Sequence, residues 1–455
     1  GGIAVIATNT WYAMEAARAI DADWGEAPYP PSTEEHLSAV EASFTDDRQD
    51  SRHRDDGDVQ AALPADAPVM AYRVPYLAHA TMEPVNATAL VGETGVKVWV
   101  GTQNPTRARD VAAEAAGVDR DDVKVETVFL GGGFGRRGES DFVARAVEVA
   151  KLMPGVPVKT TFSREQDMCQ DFYRPIAAAR IRGAVADGRL AALDVNVAAP
   201  RAAAGIAART GVPFAGPDPT IVQALWDQPY DVPDRRVTGY AAPTMLPVGA
   251  WRSVGASQNA FFQECAIDEL AHEAGVDPLE LRLASISHRP SRGVLEAVAE
   301  MSNWGAPTAP GRGRGVAFSL SFGVPTAEVV EVEATESGLR VAKVWAAVDV
   351  GVALDPRNIE AQVISGVNFG LSAAILNEIT LKGGAVEQTN FHDYEALRMY
   401  QAPAIEVRVL EAADRIRGVG EPGTPPAAPA LANAVFAATG ERLRETPFGK
   451  FVDFV

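Results

Sequence analysis

Three turn signals constrain this chain more than any other feature. The stretch VADGRLAAL places Asp187-Gly188 between two apolar runs, Glu331–Val350 reads as two strands around the turn Glu336–Gly338, and Gly383-Gly384 marks a further turn. Such dipeptides accept left-handed φ at the central positions, which gives the twist an antiparallel hairpin needs. Helix patterns alternate with them: Arg107–Ala116 closed by Gly117, Ser140–Met153 stopped by Pro154-Gly155, and Ser257–Gly275. Hairpins rule out a sheet that is parallel throughout, so the expected class is α+β, with mixed α/β sheets and packed helices.

A chain of 455 residues exceeds one ordinary core, and two or three domains are expected. Residues 1–25 pattern as the remnant of an upstream α/β domain. In it Ile3–Ala7 is an apolar run of strand length, Thr10–Ile20 has helical spacing, and Asp21–Trp24 begins a second strand. Residues 26–65 read as a linker. Pro28, Pro30, Pro31 and the charged run Thr45–Asp58 bury too little apolar surface to offset the entropy of ordering. Residues 66–290 and 291–455 form the two main units.

Composition narrows the chemistry. The formal net charge of −19 opposes a nucleic-acid groove, because phosphates would be repelled. Cys169 and Cys265 are the only cysteines, and the histidines show no H-E-x-x-H spacing. A zinc ribbon or an iron–sulfur cluster held by this chain alone is excluded, and no metal is expected to bind side chains directly.

The stretch FLGGGFGRRGESDF, residues 129–142, follows the strand pattern Val123–Leu130 and precedes a helix that Ser140 is placed to cap. Strand, glycine loop and helix N-terminus make an anion site. Gly133, Gly135 and Gly138 also fit G-x-G-x-x-G, the dinucleotide pattern. The following strand, Val156–Phe162, lacks the lone acid at its tip that a ribose contact requires. Phosphate binding is the better reading, with an NAD- or FAD-binding dehydrogenase as the alternative.

Five further segments join Gly131–Arg137 in a fixed order: Tyr76–Pro84 (YLAHATMEP), Gly101–Pro105 (GTQNP), Asp349–Pro356 (DVGVALDP), Asn390–Met399 (NFHDYEALRM) and Gly418–Pro422 (GVGEP). Together they resemble the C-terminal part of the molybdenum-binding large subunit of the xanthine oxidase and aldehyde oxidase family, in the branch of the isoquinoline 1-oxidoreductase beta subunit. The resemblance implies that 66–290 and 291–455 are two molybdopterin-binding domains clasping a molybdopterin cytosine dinucleotide with its molybdenum. It implies that Gly132, Gly133, Phe134, Gly135 and Arg136 approach this cofactor, with Gln103, Gln362 and Gly351 as further contacts. It makes Glu421 the catalytic base, and its place among small residues and Pro422 predicts an apolar pocket that raises its pKa. Arg252 in Trp251-Arg-Ser-Val-Gly and His79 are placed near substrate.

The same resemblance implies an oxidation of an aldehyde or an N-heteroaromatic ring with oxygen from water. The acid that purine-oxidising members carry after the glycine loop is replaced here by Arg136, Arg137 and Gly138. Electrons would pass to a small [2Fe–2S] partner subunit and then to a cytochrome or flavin protein, with the upstream half of the large subunit as another partner. The branch implies the periplasm, with the cytoplasm as alternative. A third reading makes the chain a non-catalytic scaffold half of a split complex.

Overall fold

The computed structural model describes residues 2–455. Helices α1 (Thr10–Arg18) and α2 (Thr33–Glu41), strand β1 (Gln49–Asp56) and the short α3 (Val59–Ala62) lead into β2 (Met70–Val74). The next unit contains β3 (Asn86–Gly92), β4 (Gly95–Val100), α4 (Pro105–Ala116), β5 (Val123–Thr127), α5 (Asp141–Ala150) and β6 (Val158–Thr161). The chain continues through α6 (Arg164–Cys169), β7 (Ala177–Ala186), β8 (Arg189–Pro200), α7 (Ala202–Thr210) and β9 (Asp234–Ala242). Three helices, α8 (Ala256–Glu273), α9 (Pro278–Ala284) and α10 (Arg289–Ser302), precede β10 (Arg312–Ser321), β11 (Val324–Thr335) and β12 (Gly338–Asp349). Helix α11 (Pro356–Ile375), the short β13 (Leu381–Lys382) and β14 (Ala385–Val386), β15 (Ala404–Leu410) and α12 (Ala427–Thr439) follow.

The sheets are mixed, as the turn signals require. Their orders are β1-β9-β8-β7-β2, β5-β4-β3-β6 and β10-β11-β12-β15. Each combines antiparallel hairpins with one parallel pair: β8–β9, β4–β5 and β12–β15 respectively. Asp187 and Gly188 turn the β7–β8 hairpin with φ of +50° and +70°. The largest core is shared by the first and third sheets, joined by α8, α10 and α12. Almost every side chain of α8 is buried. A separate core lies under α4 and α5 on the β3–β6 sheet.

Several expectations change. The charged run 45–58 is not a linker: it contributes β1, which pairs antiparallel with β9. An edge strand needs backbone partners more than apolar side chains, and its exposed charges suit the outer position. The boundary drawn at 290/291 falls inside α10. Ile3–Ala7 and Asp21–Trp24 pair with no sheet among the described residues, although α1 forms between them. The dinucleotide reading also fails. A Rossmann unit would place β6 beside β5 after the α5 crossover, whereas β6 pairs antiparallel with β3 at the opposite edge. A 3-10 turn at Arg136–Gly138 separates the glycine loop from α5, and Ser140 makes no side-chain cap.

Candidate functional site

The glycine loop leaves β5 and folds back on itself. Phe134 holds φ of +53°, an unusual left-handed value for a residue with a Cβ, between Gly132 at +98° and Gly135 at +111°. A Cβ on Gly135 would stand 1.4 Å from the Ala250 carbonyl oxygen, and one on Gly133 would stand 2.5 Å from Gln103 Oε1. Gln103 fixes the loop from beside it, accepting from the Gly135 N–H at 3.1 Å. The N–H groups of Gly132, Gly133 and Phe134 have no protein acceptor among the described residues.

Arg137 braces this loop from inside. Its buried guanidinium donates to the carbonyls of Gly132 (2.9 Å) and Gly101 (3.0 Å) and to Glu83 Oε2 (2.7 Å). Burial alone would raise the Glu83 pKa, but Asn86, the Gly131 N–H and Arg137 outweigh it and hold the carboxyl below its usual range.

Arg136 and His79 require correction. Arg136 is buried and forms a two-point pair with Asp141 at 2.8 and 3.1 Å, with Asp171 at 3.3 Å, so its guanidinium is not free to reach a cofactor phosphate. His79 is equally enclosed. Its Nδ1 meets Asp171 at 2.9 Å and its Nε2 meets the Ala250 carbonyl at 3.0 Å, the carbonyl against which Gly135 packs. Both residues support the loop from behind.

The opposite wall comes from the segment before α12. Glu421 is half-buried in a crevice, not enclosed in an apolar pocket as the sequence predicted. Its Oε1 accepts from the Ser253 N–H at 3.0 Å, and its backbone carbonyl accepts from Ser253 Oγ at 2.8 Å. Ser253 and Val254 make this reach with φ of +75° and +50°. Arg252 sits alongside, donating from Nε to the Gly420 carbonyl (2.7 Å), from Nη1 to Ser365 Oγ (3.0 Å) and from Nη2 to the Gln362 carbonyl (3.2 Å). Burial pushes this guanidinium down to about 10, with Glu421 acting in the opposite direction.

Aromatic contacts join the two walls. Phe134 lies 4.6 Å from the Phe369 ring centroid, and Phe369 stacks on Trp251 at 4.8 Å. Arg252 lies 5.8 Å from the Phe134 ring. Phe134, Gln103, Arg252, Gln362 and Glu421 thus converge on one crevice. Gln362 lies within α11, with its side chain beside Gly420. Gly351 packs where a Cβ would meet the Arg415 carbonyl at 2.5 Å, at the base of the 413–421 segment. The sequence reading missed Ser253, Ser365, Phe369 and Asp171. The first lies inside the Trp251–Gly255 stretch, and the others carry no local motif.

A family model described as the molybdopterin cofactor-binding domain matches residues 44–286, and a second with the same description matches 249–403. The chain belongs to the molybdopterin cofactor-binding family. It is 34% identical to the beta subunit of isoquinoline 1-oxidoreductase from Brevundimonas diminuta over 81% of this chain and 48% of that protein. It is 28% identical to one of the subunits of nicotinate dehydrogenase from Pseudomonas putida over 98% of this chain and 39% of that protein. The chain therefore spans half or less of the length of these two curated relatives. Among solved structures, quinoline 2-oxidoreductase from Pseudomonas putida 86 superposes with a TM-score of 0.80 at 16% identity, over 97% of this chain and 83% of that one. Aldehyde oxidoreductase from Desulfovibrio gigas superposes at 0.77 and 14%, over 97% and 67%.

The crevice suits the family's molybdopterin. Its loop supplies three backbone donors without protein acceptors, and its glycines let the backbone fold tightly against Gln103 and Ala250. On the facing segment Gly418 has nothing within 4 Å of a Cβ position and Gly420 has only Gln362 at 3.8 Å, which leaves open space beside that backbone.

Proposed function

We propose that this chain is the part of a molybdenum hydroxylase that cradles the pterin-bound metal and carries its base, oxidising an aldehyde or N-heteroaromatic substrate. The observation that carries this reading is the meeting of the glycine loop, through Phe134 and Arg252, with the Gly420–Glu421 segment in a chain of this family. Gly132, Gly133, Phe134 and Gln103 would hold the group from one side, and Gly420 and Gln362 from the other. When bound, it supplies the acceptor for the electron pair leaving the substrate. The chain's own part is proton handling and positioning. Ser253 occupies Glu421 Oε1, which leaves Oε2 as the atom to take and hold the proton. Arg252 fixes the height of Gly420, and the Phe134–Phe369–Trp251 column keeps water from the inner wall.

The cytosine dinucleotide form, a [2Fe–2S] partner, the upstream half of the large subunit and a cytochrome or flavin acceptor belong to the same reading. The relatives' names support the substrate class. Periplasmic export is a further part of the proposal, read by cell fractionation. The deciding experiment is Glu421→Gln in the assembled enzyme. Molybdenum and pterin contents stay at the wild-type level while turnover falls by about 10²–10⁴. Near-normal turnover with the cofactor retained removes Glu421 as base, and an assembly without molybdenum removes the whole reading.

A further inference from the structure

Glu328 lies in the middle of β11, fully buried, with no hydrogen-bond partner on either carboxylate oxygen. Ser319, Ser321 and Thr326 share its situation: each is at most 2% exposed, and each hydroxyl lacks a partner. The β10–β11 register brings them into line, with Ser321 opposite Val324, Ser319 opposite Thr326 and Ala317 opposite Glu328. Cross-strand partners and alternate residues share one face of a sheet. The four polar groups therefore form a single file that advances about 7 Å per step.

Both ends of the file can be placed. At the hairpin tip, a Cβ on Gly323 would stand 3.2 Å from Arg417 Nε, in the residue before Gly418. Along the same face Gly313 abuts Ala434 and Ala438, and Gly315 abuts Ala430 and Ala434. The next step, Ala317 and Glu328, falls toward the first turn of α12, directly after the Glu421–Pro426 segment. Burial of an ionised carboxylate without any partner is strongly unfavourable. Burial alone pushes Glu328 well above the usual carboxylate range. Ordered water satisfies buried polar groups where the site has room for it and offers each water two to four polar neighbours.

We propose that Ser321, Ser319, Thr326 and Glu328 line an internal hydration site, a short file of bound waters that runs from the hairpin tip beside Arg417 to a Glu328 carboxyl group carrying a proton. Hydroxyls and a neutral carboxyl each donate and accept, so the file is satisfied without burying net charge. The inference does not depend on what the crevice binds.

Infrared spectroscopy of the intact chain tests it. The wild-type minus Glu328→Gln difference spectrum contains the carbonyl band of a protonated carboxyl at neutral pH. In D₂O this band shifts while the amides of the β-sheet core are still unexchanged. Thr326→Val keeps the shape but cuts the file, and slows the shift about tenfold. Should Glu328→Gln fail to fold, wild type against Thr326→Val reads the same kinetics. A band that exchanges only on unfolding means a dry carboxyl and overturns the proposal, as does an unchanged rate in Thr326→Val. Absence of the band with a melting temperature that rises in Na⁺ or K⁺ means an ionised carboxylate holding a cation, which also overturns it.

Discussion

At the scale of single residues, Gly135 shows how a motif glycine and its physical reason can be far apart in the chain. The sequence displays the glycine, but the atom that forbids a side chain there is the Ala250 carbonyl, which only the fold brings near. Gly135→Ala would combine a left-handed φ with a contact no packing tolerates, and it should destabilise the chain by more than about 4 kcal/mol in urea unfolding. Gly138→Ala is the control. That position has open space around a Cβ and no left-handed φ, so the same measurement should move by less than about 0.5 kcal/mol. The neighbouring Arg136, expected at the cofactor, pairs with Asp141 instead. What the sequence could not display is that Arg137 turns inward to Gly132, Gly101 and Glu83, so that with the Arg136–Asp141 pair neither guanidinium is left for a phosphate.

At the scale of elements, helix and strand patterns were read most accurately where a terminator had a stated cause. Gly117 ends α4 in a left-handed conformation, and the β7–β8 and β11–β12 hairpins turn where Asp187-Gly188 and Glu336–Gly338 place them. The misreadings have a common source: β1 and the position of β6 depend on which backbone edge is vacant, and a vacancy of that kind leaves no trace in side-chain periodicity. The site followed the same division. Phe134, Gln103 and Glu421 were visible in motifs, whereas Ser253 and Phe369 matter through contacts across the crevice. Elements also differ in how tightly they meet. In α10, a Cβ on Gly293 would make only an ordinary 3.7 Å contact with Leu410, so Gly293→Ala should stabilise the chain by about 1 kcal/mol through helix propensity. In β10, a Cβ on Gly315 would stand 2.2 Å from the Ala434 N in α12. Gly315→Ala should lower stability by about 1–3 kcal/mol as α12 is forced off the sheet. Thermal unfolding of the two variants side by side checks both signs.

For the whole molecule, the excess of acid over base is carried on the surface while whole arginines are buried within. Arg136, Arg137 and Arg282 are enclosed, and their charges are answered by Asp141 and Asp171, by Glu83 and by Glu264. Such an arrangement is vulnerable from the acid side, because protonating an enclosed carboxylate strands its cation. Asp171 is the sharpest case. Burial by itself would raise its pKa, but His79 and Arg136 outweigh burial and hold it below the usual carboxylate value. A folded-state pKa below the unfolded one means that the unfolded chain binds the proton more readily. The stabilisation is then complete above the unfolded value of about 3.9, and it is lost as pH falls through the lower folded value. Asp171→Asn should therefore cost about 3–5 kcal/mol at neutral pH, since it leaves Arg136 with a weaker partner and removes the charge facing His79. Urea midpoints of variant and wild type should keep a constant separation from neutrality down to the ordinary carboxylate range and converge only at more acid pH. A separation that persists unchanged into that acid range would assign the loss to packing of the Asn side chain and not to the charge held between His79 and Arg136.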